Sequence, residues 1–127
     1  MSLIGLISCV STKRKYATEA CNLYISPLFL NSKKYAEERL DKYYILSAKY
    51  GLLHPCEVIS PYEETLNNKP KNERLIWARE VFDKLFKLIN SDDKIVFLAG
   101  ERYREFLEIF LTQNGIIHQS PLNKLSI

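Results

Sequence analysis

Apolar positions along this chain follow two different periods. Three short runs are apolar without interruption: Leu3-Ile4-Gly5-Leu6-Ile7, Tyr43-Tyr44-Ile45-Leu46 and Ile95-Val96-Phe97-Leu98. Runs of that length, apolar on both faces, predict buried strands of a parallel sheet. A fourth short strand is predicted over residues 116–118. Elsewhere the spacing is helical. Leu75, Ala78, Phe82, Leu85 and Ile89, widened by Val81 and Phe86, predict a helix over residues 73–89 with Asn72 as its cap. Tyr103, Phe106, Leu107, Phe110 and Leu111 predict another over 102–112, closed by Asn114-Gly115. Ala20, Cys21 and Tyr24 suggest a short helix over 17–24, stopped at Ser26-Pro27. Asn31 or Ser32 can cap a further helix to about residue 41, with Tyr35, Ala36 and Leu40 inward. Residues 50–72 hold Pro55, Pro61 and Pro70 and read as one long irregular stretch, a length that is unusual in a compact domain and often functional.

Strands alternating with helices predict an α/β fold: a three-layer sandwich with a small, mainly parallel sheet of about four strands and helices on both faces. Residues 1–127 read as a single domain. The chain stops at Leu125-Ser126-Ile127 with no closing helix or charged terminus, which leaves a complete domain and one truncated at its C-terminus as alternative expectations. Right-handed crossovers bring the carboxyl ends of the strands to one rim, where α/β sheets hold ligands. No strand leads into GxGxxG or GxxxxGK[ST], which excludes the usual dinucleotide and P-loop sites.

Composition narrows the class a little further. The chain is 46% hydrophobic and 26% charged, ordinary for a globular domain able to bury a core without disulfides or metal. Its net charge of +3 is compatible with a phosphate-bearing partner without being diagnostic. Cys9, Cys21 and Cys56 are odd in number and lack metal-ligand spacing, so reduced thiols and no metal are expected. No cofactor is predicted. The first residues lack the basic leader and length of a signal peptide, and no apolar run reaches the roughly 20 residues of a membrane span, so a cytoplasmic location and no membrane partner are expected.

Candidate chemistry sits where the strands end. After the first come Ser8, Cys9 and the cations Lys13-Arg14-Lys15, which can grip phosphate or carboxylate, or form a solvated loop. Cys9 can be a nucleophile beside those cations, though a small packing residue is the simpler reading. After the second come Ser47, Lys49 and Tyr50: an anion holder or desolvated base, and a ring that can stack on a base or close the core edge. After the third, Ala99-Gly100 allows close approach to the free N–H groups of a helix start, and Tyr103 lies on the apolar stripe and reads first as core. In the proline-rich stretch, Tyr62 and the carboxylates Glu63 and Glu64 follow Pro61. Glu63 can be a general acid or base, or a structural ion-pair partner; Glu64 reads as structural. His54 and His118 are isolated and are given no role.

These residues resemble an uncharacterised bacterial family of small α/β domains. The resemblance rests on Ile7-Ser8-Cys9 with a downstream Lys-Arg, on Leu46-Ser47-Ala48-Lys49-Tyr50-Gly51-Leu52-Leu53, on Ile59-Ser60-Pro61-Tyr62-Glu63, and on Leu98-Ala99-Gly100 with Tyr103. More distantly the chain is similar to the YaaA peroxide-stress proteins. Those carry an Ile-Ser-Pro-Ala-Lys start, a Tyr-Gly-Leu/Val-Leu segment leading into Pro-Tyr, and a late Ala-Ser-x-x-Tyr turn. Here Cys9 replaces the proline of the first motif and Gly100 the serine of the last, and the chain is about half as long. The resemblance marks Ser8, Ser47, Gly51, Pro61, Tyr62, Gly100 and Tyr103 as the shared pattern. It implies links to DNA binding and to protection from peroxide, and related modules accompany enzymes of modified-guanine tRNA synthesis.

Two functions are therefore expected in outline. In one, the rim binds a nucleotide, nucleoside or modified base, with Lys13, Arg14 and Lys49 on phosphate or carbonyl groups and Tyr50 or Tyr62 stacked on the base. Glu63 then serves N-glycosidic hydrolysis or transfer, where a carboxylate stabilises an oxocarbenium-like transition state. In the other, the protein binds DNA or RNA in an oxidative stress response without catalysis. Neither the substrate nor the oligomeric state is legible.

Overall fold

The computed structural model describes residues 1–8 and 13–121. At its centre lie three parallel strands, β1 (Leu3–Ser8), β3 (Lys42–Ser47) and β6 (Lys94–Leu98). They belong to a five-stranded sheet in the order β4-β3-β1-β6-β7, with β4 (Gly51–Leu53) antiparallel to β3 and β7 (Ile117–Gln119) parallel to β6. A separate antiparallel pair joins β2 (Thr18–Glu19) to β5 (Val58–Ile59).

Helices cover both faces. On one, α3 (Lys71–Phe86) and α4 (Glu101–Gln113) pack Trp77, Val81, Phe82 and Leu107 against Ile4, Leu6, Leu46 and Phe97. On the other, α1 (Ala20–Leu23) and α2 (Pro27–Arg39) bring Leu23, Phe29 and Ala36 against Ile7, Ile45, Val96 and Leu98. Strand side chains alternate between the two cores because successive residues point to opposite faces. Gly5 faces α2 at a close approach: a Cβ there would lie 2.8 Å from Leu40 Cδ1 and 3.2 Å from Tyr43 Cβ.

The structure departs from the periodicity in four places. The sheet has five strands rather than about four. The addition, β4, is a hairpin partner: the chain reverses at Gly51, at φ +74°, and Leu52 and Leu53 pair with Leu46 and Ile45. Residues 17–24 form one helical turn instead of a helix, because Thr18 and Glu19 pair with Ile59 and Val58. So short a helix nucleates poorly on its own. Ser26-Pro27 begins a helix rather than ending one. Ser26 Oγ accepts from Phe29 N at 3.3 Å, and Pro27 occupies the first helical position, where no N–H is needed. In α3 the inward stripe is rotated from the predicted one. Trp77 is buried while Leu75 and Phe86 are 41% and 48% exposed, and the helix starts behind Pro70, not at an Asn72 cap.

Carboxylates tie the amino ends of the strands. Asp93 accepts from Ser2 N at 2.9 Å and from Asn90 N at 2.8 Å, and Asp41 accepts from Leu3 N at 2.6 Å. The two backbone donors hold the Asp93 carboxyl below the usual carboxylate range. Among the described residues no helix is long and apolar enough to cross a membrane.

Candidate functional site

Hydroxyl groups tie the opposite rim. Ser8 ends β1, and its Oγ accepts from Gly100 N at 3.2 Å, joining the carboxyl end of β1 to the turn after β6. Ser8 also pairs with Leu46 in register, so Ser47 lies one step further along the same edge. The ends of β1, β3 and β6 therefore meet on one side of the sheet.

Ser47 is fully buried, and its Oγ accepts from Lys49 N at 3.3 Å and Tyr50 N at 3.0 Å. That bonding closes the turn and presents Lys49 outward, with its Nζ 5.4 Å from the Tyr50 ring centroid. The Ser47 carbonyl accepts from Trp77 Nε1 at 2.8 Å, which fastens the turn to α3. Tyr103 is 3% exposed, and its hydroxyl accepts from Leu66 N at 3.3 Å and lies 3.4 Å from Thr65 Oγ1. It thereby anchors the proline-rich segment, just before a 3₁₀ turn at Leu66–Asn68, over the start of α4.

A tyrosine cluster lies on the α1 side of this rim. Tyr62 and Tyr24 share a buried hydroxyl–hydroxyl bond of 2.5 Å, and the Tyr62 ring meets Tyr50 edge-on at 5.5 Å between centroids. The Tyr50 hydroxyl donates to Ser60 O at 3.3 Å. Lys13 Nζ stands 4.5 Å from the Tyr62 ring centroid and 5.8 Å from that of Tyr24, a cation–π arrangement. Arg14 is exposed, and its Nε donates to Asn22 O at 2.9 Å. Cys9 lies outside the described residues.

On the α3 side, an open cleft of about 350 Å³ is lined by Ala48, Lys49, Glu64, Lys69, Glu73, Ile76, Trp77 and Glu80. A smaller hollow of about 220 Å³ continues beside it between β4 and α3, past Tyr50 and Lys84. Glu64 pairs with Lys69 at 3.3 Å within the lining of the larger cleft. Glu63 is exposed and stands in the chain between Tyr62 of the tyrosine cluster and Glu64 of the cleft, and it lines neither hollow. Gly100 is exposed at the N-cap of the 13-residue α4, with nothing within 4 Å of where a Cβ would stand. A helix start with open space before it is favourable for an anion.

Ser8, Ser47, Lys49, Tyr50, Gly100 and Tyr103 thus lie at the carboxyl-end rim of the sheet, with Ser8, Ser47, Tyr62 and Tyr103 buried, Lys13 half-buried over the Tyr24 and Tyr62 rings, and Lys49 exposed. Sequence reasoning did not single out Trp77, Tyr24, Lys69, Glu73 or Glu80. Trp77 had a visible signal: with Ala78, Val81, Phe82 and Leu85 it completes one helical face. Tyr24 had none, because its partner Tyr62 is 38 residues away. Among the described residues no three His, Cys, Asp or Glu side chains cluster as metal ligands would.

A parallel-centred three-layer α/β domain, with polar turns gathered at the carboxyl ends of its strands, is the class that this geometry defines. Within it, the chain belongs to DUF6884, a family of unknown function whose model matches residues 4–127. Relatives named UPF0246, the YaaA group, are 32% identical over 75 residues in Lactobacillus helveticus and 39% identical over 66 residues in Psychrobacter cryohalolentis. These matches cover 55% and 46% of this chain, and 28% and 25% of the relatives. The uncharacterised protein YfjM of Bacillus subtilis is 29% identical over 93 residues, 72% of this chain and 61% of its own length. The chain therefore spans less than two thirds of each of these relatives, and is a YaaA-like α/β protein. No solved structure matches it.

Proposed function

We propose that the carboxyl-end rim binds a nucleotide, nucleoside or modified base and acts on its N-glycosidic bond. The observation that supports this reading is the hydrogen bond from Gly100 N to Ser8 Oγ across β1 and β6, which joins the start of α4 to the carboxyl end of β1, the rim on which β3 also ends in Ser47. In this reading the N–H groups opening α4, the Lys13 and Lys49 ammonium groups and the exposed Arg14 guanidinium hold phosphate or carbonyl oxygens. The half-buried ring of Tyr50 or that of Tyr62 stacks on the base. Glu63, exposed and next to Tyr62 in the chain, stabilises positive charge developing on the sugar or moves the proton of the attacking group. Ser8, Ser47 and Tyr103 hold the turns that present these groups. Cys9, next after Ser8 in the chain, completes the set.

The test is a thermal-shift and calorimetric screen of nucleotides, nucleosides and bases, followed by product analysis. A ligand present at 100 times its Kd stabilises the protein by about 2.7 kcal/mol. Lys13→Ala and Lys49→Ala should weaken phosphate-bearing ligands more than free bases. Glu63→Gln should bind and fail to turn over; undiminished turnover by that variant ends the role of Glu63. A screen with no stabilising ligand ends the reading as a whole. Binding of DNA or RNA that falls steeply with salt would assign the rim to nucleic acid instead.

A further inference from the structure

Away from the rim cations, two cysteines lie on segments joined by backbone hydrogen bonds. Thr18 pairs with Ile59 and Glu19 with Val58, and beyond that pair one segment enters α1 at Ala20 while the other leaves the turn at residues 55–56. The backbone continues that contact. Ala20 N donates to Glu57 O at 2.7 Å, and Cys21 N donates to Pro55 O at 2.9 Å. The carbonyl receiving the Cys21 N–H thus belongs to the peptide that joins Pro55 to Cys56. That hydrogen bond holds Cys21 one peptide unit from Cys56, within reach of a bond whose Cα atoms stand about 4.4–6.8 Å apart. The turn carrying Cys56 is itself braced: Glu57 N donates to His54 O at 3.0 Å, and Cys56 N to His54 Nδ1 at 3.1 Å.

We propose that Cys21 and Cys56 form a reversible disulfide that fastens the 54–57 turn to α1. Both thiols are free here, Cys56 exposed and Cys21 half-buried. Burial pushes the Cys21 thiol up, opposed by the nearby Lys33 ammonium and reinforced by the charges of Glu19 and Cys56. The exposed Cys56 is therefore the first nucleophile. Its thiolate attacks one sulfur of a low-molecular-weight disulfide, forming a mixed disulfide and expelling one thiolate. The Cys21 thiolate then attacks Cys56 Sγ, the protein disulfide forms, and the second small thiolate leaves. The two protein thiols lose two electrons and two protons, and the small disulfide becomes two thiols. A small dithiol reverses both steps.

The bond bears on the rim through the chain. Cys21 lies three residues before Tyr24 and Cys56 six before Tyr62, and those tyrosines share a hydroxyl–hydroxyl bond. Oxidation adds a covalent tie between segments otherwise joined there by backbone and tyrosine contacts. The disulfide does not depend on the rim's ligand, so its test stands apart from that reading.

The experiment is equilibration of the full chain with reduced and oxidised glutathione at a series of ratios, followed by alkylation, intact mass and peptide mapping. The expected product has lost two hydrogens, carries a Cys21–Cys56 crosslink and reverts with dithiothreitol. Cys9→Ser should still form it. Cys21→Ser should stop at a glutathione adduct on Cys56. A wild-type protein that gives only glutathione adducts or dimers, or a crosslink through Cys9, overturns the proposal. Because the mapping is done on the wild-type chain, poor folding of a variant does not blunt it.

Discussion

Trp77→Phe tests how the rim is held. The indole is 8% exposed, its N–H donates to the Ser47 carbonyl at 2.8 Å, and its ring meets Tyr103 edge-on at 5.7 Å. Phenylalanine keeps an aromatic ring but removes the donor and part of the ring volume. A net hydrogen bond contributes about 0.5–1.5 kcal/mol, and a buried polar group left without its partner costs about 1–3 kcal/mol. With a partial cavity and a weakened ring contact, we expect a loss of about 2–4 kcal/mol. A domain of this size has a total stability of about 5–15 kcal/mol, so the change is large. At a urea m-value of about 2 kcal/mol per molar, the midpoint falls by about 1–2 M. Trp77 is the single tryptophan, so both proteins should be followed by far-ultraviolet circular dichroism rather than fluorescence. The loosened carbonyl belongs to the turn that presents Lys49, so hydrogen exchange at the Lys49 and Tyr50 amides should rise more than at β6. A loss below about 0.5 kcal/mol, or exchange that rises evenly, would refute the claim that Trp77 fastens this turn.

Three further outcomes are expected. The Asp93 carboxyl lies below its ordinary value in the folded state, held by Ser2 N and Asn90 N. Its contribution is therefore present above the unfolded carboxylate pKa and lost as pH falls through the lower folded value. Asp93→Asn should flatten the acid limb of a stability–pH curve, and an unchanged limb would count against the clamp. Burial, with smaller effects from Cys21, Glu37 and Cys56, pushes the Tyr43 hydroxyl up to about 12. That group favours folding below its unfolded pKa and ceases to as pH rises through the folded one, so Tyr43→Phe should lessen the alkaline loss of stability. A tyrosinate absorbance titration that matches wild type throughout would contradict it. Gly51 sits at φ +74° with only Val81 Cγ2 near, at 3.7 Å from a built Cβ. Gly51→Ala should cost about 1–2 kcal/mol through backbone strain, measured by urea denaturation, and no measurable loss would mean that the hairpin relaxes.

Much of this molecule was legible as pattern. The run Lys94–Leu98 is a strand along its whole length, and α4 extends only one residue beyond its predicted span at each end. Both signals are local: a short apolar run between polar turns, and a stripe whose residues share one helical face. The family motifs lay at the strand ends for the same reason, since each strand empties into a small-residue turn.

What periodicity left undecided depends on partners distant in the chain. Thr18 and Glu19 became a strand because Val58 and Ile59 were there to pair, and residues 51–53 became a sheet edge because Gly51 let the chain fold back on β3. Helical stripes announce that a face is buried, while the neighbour decides which face: α4 and the sheet took Trp77 inward and left Leu75 and Phe86 outside. The sequence by itself determined the layers, through the alternation of apolar periods along the chain. Only tertiary packing brought Ser8 to Gly100, Tyr24 to Tyr62 and Cys21 to Pro55, because those contacts exist once the sheet order is set and have no local signal.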